Sequence, residues 1–256
     1  MELMYKMLGL PEVASAHGHK VDNFIVYVHW LMFALFIGWL IYFAITLFKF
    51  NARRNTKASY HGVQHHGSSY IEVAVVLVEA SLLIFLAIPL WGEVMGQFPK
   101  ESESTEVQVV GQQFAWNARY TGLDGKFGAQ DMKFVAENNM FGVDPADTNG
   151  KDDIQVLNEI HVPVDKPVIC YISSKDVIHS FRIVSMRATQ DAIPGMRIPM
   201  WFKPVKTGTN QIYCAQLCGA GHAAMAGGRL IVDTQEDYNK WIKKKSAAGA
   251  APVSFE

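Results

Sequence analysis

Two apolar runs near the start of the chain limit its fold more than any other feature. Residues 24–48 contain no Asp, Glu, Lys or Arg, and residues 71–92 contain only two, Glu72 and Glu79. A transmembrane α-helix needs about 20 predominantly apolar residues to cross the hydrocarbon core of a bilayer. The sequence therefore predicts two membrane spans joined as a hairpin by the short loop between them.

The loop between the two spans predicts their orientation. It carries Lys49, Arg53, Arg54 and Lys57 and contains no acidic residue. Cytoplasmic loops of membrane proteins are enriched in Lys and Arg. We therefore expect both termini, and the domain that follows the second span, to lie on the outer side of the membrane, in the periplasm or its equivalent.

The sequence after residue 100 has the pattern of an all-β domain. Short segments rich in β-branched and aromatic residues, such as EVQVVGQ, VICYIS and RLIVD, are separated by turn residues. No helical stretch lies between them, which favours a sandwich or barrel. Residues 121–153 are rich in Gly, Asp and Asn and predict a long surface excursion. Thr234, with Asp237 three residues later, predicts the N-cap of a short helix.

These patterns divide the chain into three parts. We expect an N-terminal segment and the two-helix hairpin in residues 1–100, a β-domain in 101–233, and a helix with a tail in 234–256. The formal net charge of −1 gives no reason to expect nucleic acid as a partner. Three Cys are too few for a disulfide scaffold. Cys170 lies in an apolar strand and is expected to be a buried small hydrophobe.

The segment CAQLCGAGHAAM, residues 214–225, carries the chemistry of the chain. It places two thiols, an imidazole and a thioether within twelve residues. Thiolate and thioether ligands favour copper, and a single Cys with His and Met would describe a mononuclear site. Two thiolates can instead bridge two copper ions. The segment supplies His222 and Met225, so a second imidazole must come from elsewhere, and His179 at the start of a predicted strand is the best candidate.

Together with DVIHS around His179 and DAIPG between the two segments, this spacing resembles cytochrome c oxidase subunit II. The resemblance covers nearly the whole chain. It implies an N-terminal two-helix transmembrane hairpin, a Greek-key cupredoxin domain that holds a binuclear copper (CuA) centre, and a short C-terminal helix. The ligands that it implies are Cys214 and Cys218 as bridges, His179 and Met225 on one ion, and His222 with the backbone carbonyl of Gln216 on the other.

By this resemblance the chain relays electrons within a haem–copper oxidase of an energy-transducing membrane. The electrons would come from a cytochrome c or another respiratory complex and pass to haem in subunit I, where oxygen is reduced to water. Two bridged ions share the charge change, so little rearrangement accompanies each transfer. The implied ligands fill every position, and a catalytic metal would keep one open. We therefore expect no catalytic residue in this chain.

Two departures from the family pattern leave roles open. The aromatic stretch GQQFAWNARY has Phe114 where the family has a Trp, while Trp116 and Tyr120 keep their places. Phe114 and Trp116 are candidates for electron transfer, and both could equally fill the core beneath the copper ligands. Gln216 replaces a Glu that helps to bind magnesium at the subunit I interface, so magnesium is left open.

Two acidic residues and one histidine lie within the predicted spans. Glu72 matches an acidic residue that the family places near the cytoplasmic mouth of a proton-uptake channel, and an interfacial carboxylate is the alternative. Glu79 stands where the family has Pro, and an ionisable group at that depth is a candidate for function. His29 is expected to bond across a helix interface.

Other functions compete with the relay. A quinol-oxidase subunit II has a similar fold without copper, but it would have no reason to hold both Cys, both His and the Met at this spacing. A membrane-tethered copper carrier or assembly factor would be expected to offer fewer, more open ligands. A nitrous-oxide-reducing enzyme would need a further catalytic domain, so the oxidase subunit is the favoured interpretation.

Overall fold

The computed structural model describes residues 2–57, 60–62 and 65–247, which form two compact units. The first unit comprises the chain up to Leu10 together with Lys20–Gly96. The second comprises Pro11–His19 and the chain from Gln97 onward. The predicted tail beyond residue 247 lies outside the described residues.

The first unit contains the two apolar helices. A short helix α1 (Glu2–Met7) precedes α2 (Gly18–Lys49), which has 32 residues. The second span extends over Gly67–Gly96, 30 residues, and begins with α3 (Gly67–Leu82). Both are long and apolar enough to cross a bilayer, and both extend beyond the predicted limits of 24–48 and 71–92.

The second span is not a uniform α-helix. A π-helical turn at Leu83–Ala87 separates α3 from the short helix α4 (Ile88–Trp91), and a second π-turn follows at Gly92–Gly96. Pro89 explains the first turn, because proline has no N–H to donate and its ring crowds the carbonyl four residues earlier. Wider turns of this kind absorb such a defect within a continuous helix.

Polar contacts join the helices of this unit at one end. The Nζ atom of Lys20 lies 2.6 and 2.8 Å from the two carboxylate oxygens of Glu93, so an ion pair links the start of α2 to the end of the second span. The hydroxyl of Tyr5 donates to the side chain of Asn23 and fastens α1 to α2. The hairpin is therefore closed by side chains at the end where its helices begin and finish.

The second unit is built from two five-stranded sheets. The strands are β1 (Thr105–Gln112), β2 (Ala115–Tyr120), β3 (Ile154–Leu157), β4 (Glu159–Pro163), β5 (Val168–Ser174), β6 (His179–Ile183), β7 (Ala188–Ala192), β8 (Ile198–Phe202), β9 (Gly208–Cys214) and β10 (Gly228–Asp233). The first sheet has the order β3-β2-β1-β5-β8 and the second the order β4-β10-β9-β6-β7. Most neighbouring strands are antiparallel, but β1 pairs with β5 and β4 pairs with β10 in parallel.

Alternating apolar residues from both sheets form one core between them. Members of this core include Val107, Trp116, Ile172, Phe181 and Leu230, each with no exposed surface. Inward-facing residues at every second position are what a sandwich of two sheets requires. The predicted all-β cupredoxin fold, with two apolar helices before it and a short helix after it, is thus confirmed.

The excursion predicted for residues 121–153 connects β2 to β3. A buried ion pair fixes its end to the sheet, because the guanidinium of Arg119 donates to Asp153 and to the carbonyl oxygen of Gly128. Arg119 and Asp153 are both fully buried, and a buried charge is tolerated only when it is paired. The excursion is therefore anchored at its base.

One segment falls outside the predicted division at residue 100. Pro11–His19, here called the N-terminal strap, belongs to the β-domain unit and not with the hairpin. The backbone N–H of Ala14 donates to the carbonyl oxygen of Ser185 at 2.8 Å. The buried hydroxyl of Ser15 donates to the carbonyl oxygen of Met186 at 2.7 Å. These bonds connect residues about 170 positions apart, a distance that sequence patterns do not reveal.

The C-terminal helix α5 (Gln235–Ala247) packs against the β-domain. It begins as predicted, because the hydroxyl of Thr234 accepts from the backbone N–H of Asp237 at 3.2 Å. The indole of Trp241 stacks on the imidazole of His161, with ring centroids 4.4 Å apart. His161 is held in turn by the carboxylates of Glu159 and Asp233, so its role is to seat the helix.

Candidate metal centre

The register of two strands brings the candidate ligands together. In the antiparallel pair β6–β9, Phe181 lies opposite Cys214. His179 is two residues before Phe181 in β6, and strand residues two apart point to the same face. The imidazole therefore lies on the same side as the Cys214 thiol. After β9 the chain forms what we call the ligand loop, residues 214–225, which ends in a 3₁₀ helix, His222–Gly227.

Sulfur and nitrogen atoms converge within the ligand loop. The Sγ atoms of Cys214 and Cys218 are 3.9 Å apart. The Nδ1 atom of His179 lies 3.9 Å from Sγ of Cys214, and Nδ1 of His222 lies 3.4 Å from Sγ of Cys218. The Sδ atom of Met225 is 3.5 Å from Sγ of Cys218. All five side chains singled out from the sequence thus meet at one place, with the thiols between the imidazoles.

The backbone adds an oxygen to this group. The thiol of Cys214 donates to the carbonyl oxygen of Gln216 at 3.0 Å. This contact involves only the main chain of Gln216, whose side chain is exposed. The oxygen named in the sequence prediction therefore does lie beside the thiol pair.

Burial keeps water away from much of the site. His179 and Met225 have no exposed surface, and Cys218 is also buried, whereas Cys214 is half-buried. Burial, and then the neighbouring Cys214, raise the pKa of the Cys218 thiol to about 11. Without a metal the Cys218 thiol is accordingly protonated at neutral pH, and it must release that proton when it binds one.

Trp116 lies beneath the ligand loop and does not reach the surface. Its indole N–H donates to the carbonyl oxygen of Met225 at 3.2 Å. Its ring meets Phe181 edge to face at a centroid distance of 5.0 Å and His179 at 6.0 Å. Gly111 leaves room for this packing, because a Cβ there would lie 3.0 Å from the imidazole and 3.1 Å from the indole.

Phe114 covers the ligand loop from another side. Its half-buried ring lies so close to Gly221 that a Cβ at that position would collide with it. A Cβ on Gly219 would also lie 3.1 Å from the ring. Phe114 is therefore in direct contact with the segment between Cys218 and His222.

Sequence reasoning missed two residues beside the ligands, Asp176 and Gln113. The carboxylate of Asp176 lies 2.9 Å from Nε2 of His179 and accepts from the backbone N–H of Gln113 at 2.7 Å. Burial raises the pKa of Asp176, but its hydrogen bonds with Gln113, His179 and Val177 outweigh burial and leave it below the usual value. The signal in the sequence was Asp176 three residues before the predicted ligand, in the motif DVIHS.

Other candidate residues lie apart from this centre. Glu72 and Glu79 lie in α3, in the first unit, and both are exposed there. Cys170 is buried in β5, where burial raises the pKa of its thiol to about 12. Its contacts are those of the core, so the expectation of a small buried hydrophobe is confirmed.

A β-sandwich in which two thiols, two imidazoles and a thioether meet at one loop, in a chain with two apolar helices, defines a membrane-anchored cupredoxin-like domain with a copper-type ligand set. The family model described as cytochrome c oxidase subunit II, periplasmic domain, matches residues 105–232, half of the chain. The chain belongs to the cytochrome c oxidase subunit II family. It is accordingly an electron-transfer subunit of a membrane oxidase, with its β-domain on the outer side.

Similar proteins extend over nearly the whole chain. The alternative cytochrome c oxidase subunit 2 of Bradyrhizobium diazoefficiens is 30% identical over 239 residues, which cover 93% of this chain and 84% of that protein. Cytochrome c oxidase subunit 2 of Thermostichus vulcanus is 31% identical over 267 residues, covering 95% and 80%. The crystal structure of the periplasmic domain of subunit II from Bradyrhizobium japonicum is 28% identical, covers 59% of this chain and 99% of that chain, and has a TM-score of 0.44.

Proposed function

We propose that this chain passes electrons from a respiratory donor to haem in subunit I through a binuclear copper (CuA) centre in the ligand loop. The observation that carries the proposal is the position of the two thiols between the Nδ1 atoms of two imidazoles, at 3.9 and 3.4 Å. Oxygen reduction then takes place in the partner subunit, within a complex that also contains the other oxidase subunits.

The donor set fits copper better than other metals. Two thiols and a thioether are soft ligands, which select copper, and imidazole is also suitable. Cys214 and Cys218 would hold copper through their thiolates, together with His179, Met225, His222 and the backbone carbonyl of Gln216. When bound, the copper pair supplies a reversible one-electron carrier.

The protein residues keep this carrier rigid and dry. His179 and Met225 are fully buried, which limits the water that would have to reorganise when charge arrives or leaves. Trp116 fixes the backbone at Met225, and Phe114 covers the glycines of the loop. We assign these two aromatic residues to the electron path, with Phe114, which is partly exposed, nearer to the donor.

The proposal also includes the electron donor and the question of magnesium binding. A cytochrome c or another respiratory complex is the proposed donor, and it would approach the partly exposed ring of Phe114. A neutral Gln216 side chain offers magnesium one weak oxygen in place of a carboxylate, and hard cations prefer carboxylate and other charged oxygen ligands. A magnesium ion at the subunit I interface would therefore depend chiefly on the partner.

The fold supports the proposed sidedness. The N-terminal strap leads into the first residues of α2 and the chain from Gln97 onward follows the second span, yet both belong to one compact unit. A chain that crosses the membrane twice and returns to the same folded domain starts and finishes on one side. Glu72 then lies at the cytoplasmic end of α3, where we propose that it serves proton uptake.

Spectroscopy of the copper-loaded chain tests this function. We expect a mixed-valence EPR signal in which one unpaired electron couples equally to two copper nuclei, with a stoichiometry of two coppers per chain. Cys218→Ser should abolish that signal. A blue single-copper spectrum, or copper that a weak chelator removes at once, would favour a mononuclear centre or a copper carrier instead.

A further inference from the structure

Asp176 connects three segments of the chain around His179. One carboxylate oxygen accepts from the backbone N–H of Gln113 at 2.7 Å. The other accepts from the backbone N–H of Val177 at 2.7 Å and lies 2.9 Å from Nε2 of His179. Because Nδ1 of this imidazole faces the thiols, its proton resides on Nε2 and is donated to the carboxylate.

Gln113 extends this connection to the ligand loop. Its side-chain amide Nε2 donates to the carbonyl oxygen of Cys218 at 2.6 Å. An unbroken series of hydrogen bonds therefore runs from the His179 imidazole through Asp176 and Gln113 to the backbone of Cys218. We call this series the Asp176–Gln113 bridge.

The backbone at Gly219 makes this approach possible. A Cβ at Gly219 would lie 2.8 Å from Nε2 of Gln113, too close for any other residue without a shift. Its φ of +143° is also one that residues with side chains rarely adopt. The loop is thus shaped to admit the Gln113 amide next to Cys218.

We propose that Asp176 and Gln113 are positioning residues, which hold His179 and Cys218 at their ligand spacing before copper binds, and that the Asp176 carboxylate lowers the reduction potential through His179. This inference rests on the proposed copper centre. A carboxylate behind a ligating imidazole fixes its tautomer and orientation and strengthens it as a donor. A stronger donor stabilises the oxidised, more positive centre.

The test uses the full chain in detergent, loaded with copper, with five single variants, of which Asp176→Glu keeps the carboxylate. Asp176→Asn and Gln113→Ala break the bridge at its two members. Asp144→Asn and Gln112→Ala are the matched controls: Asp144 also accepts a local backbone N–H at 2.9 Å but lies in the excursion, and Gln112 precedes Gln113 in the chain. Copper retention against a competing chelator, EPR and the midpoint potential are measured for each.

We expect both bridge variants to lose copper about 10–100-fold more readily than wild type, the usual effect of removing a partner behind a metal ligand. Asp176→Asn should also raise the midpoint potential. Gln113→Ala should leave the potential near that of wild type, because the carboxylate still faces His179. Both controls should match wild type in every measurement. Asp176→Glu, which keeps a carboxylate, should have a midpoint potential near that of wild type.

Several results would overturn the inference. Wild-type copper retention in Gln113→Ala, which removes an exposed side chain and leaves the fold in place, would refute the bridge. A midpoint potential that moves equally in Asp176→Glu and Asp176→Asn would refute the role of the carboxylate. Thermal unfolding of the copper-free variants separates positioning from loss of fold. A wild-type chain without the mixed-valence signal would instead refute the proposed function itself.

Discussion

The glycines of the ligand loop decide which neighbouring side chains can cover the candidate metal centre. Gly219 and Gly221 leave the space that Gln113 and Phe114 occupy, and a Cβ at either position would displace one of them. Knowing which residues are the candidate ligands therefore describes only part of the site. The residues without side chains determine how closely the rest of the domain can support it.

A substitution at Gly221 tests this packing. Gly221→Ala would push the Phe114 ring from its place, and overpacking of this kind costs about 1–3 kcal/mol. We expect a lower unfolding temperature for the copper-free chain and a perturbed copper spectrum. Gly227→Ala is the matched control, because a Cβ there meets nothing within 4 Å. Equal behaviour of the two variants would show that the contact is unimportant.

The reactivity of Cys170 provides a second prediction. Its pKa of about 12 means that only about one thiol in 10⁴ is ionised at pH 8, and only the thiolate reacts. Iodoacetamide should label Cys170 only after denaturation, and Cys170→Ala should leave labelling of the native chain unchanged. The same pKa affects stability. Between about pH 9 and 12 the Cys170 thiol stays protonated in the folded domain but ionises in the unfolded chain. The free energy of unfolding therefore falls as the pH rises above about 9. Labelling of native Cys170 at pH 8 would contradict both statements.

Secondary-structure elements show where sequence patterns suffice and where they fail. The two spans, the strands and the Thr234 cap follow from local periodicity and capping chemistry, so the sequence predicts them. The candidate metal ligands follow from their types and spacing, with His179 assigned by strand position. The N-terminal strap and Gln113 act through contacts with distant segments, and no local pattern indicates them. Asp176 is indicated only by its position three residues before His179.

Helix α5 gives a prediction at this scale. Trp241→Ala would remove the ring that stacks on His161 and meets Tyr120 edge to face at 5.1 Å. Loss of a partly buried indole of this kind costs about 2–3 kcal/mol. Thermal unfolding followed by circular dichroism should shift to lower temperature, whereas the exposed Lys243→Ala should not. The copper EPR signal should be the same in both, and a changed signal would mean that α5 supports the metal centre.

Considered as a whole, the chain is a membrane hairpin that carries one outer domain. The strap ties the segment before the first span to the same domain that follows the second. In the orientation that we propose, the basic loop between the spans is the cytoplasmic part of the molecule. The position of the electron-transfer domain, its membrane anchor and the proposed orientation thus all follow from this one chain topology.

Labelling in intact cells tests that topology. A cysteine introduced by Asn55→Cys, in the basic loop, should react with a membrane-impermeant maleimide only after the membrane is permeabilised. A cysteine introduced by Lys151→Cys, in the exposed part of the excursion, should react without permeabilisation. Labelling of the unsubstituted chain supplies the background. The reverse pattern would invert the assigned orientation.

The N-terminal strap also determines the order of events during synthesis of the chain. Ser15 is made early, but its partner Met186 is made about 170 residues later. At about 5–20 residues per second, a ribosome needs roughly 10–30 s to reach it. Both apolar helices are synthesised within that interval. The strap can therefore bind to its own domain only after the whole hairpin has been made.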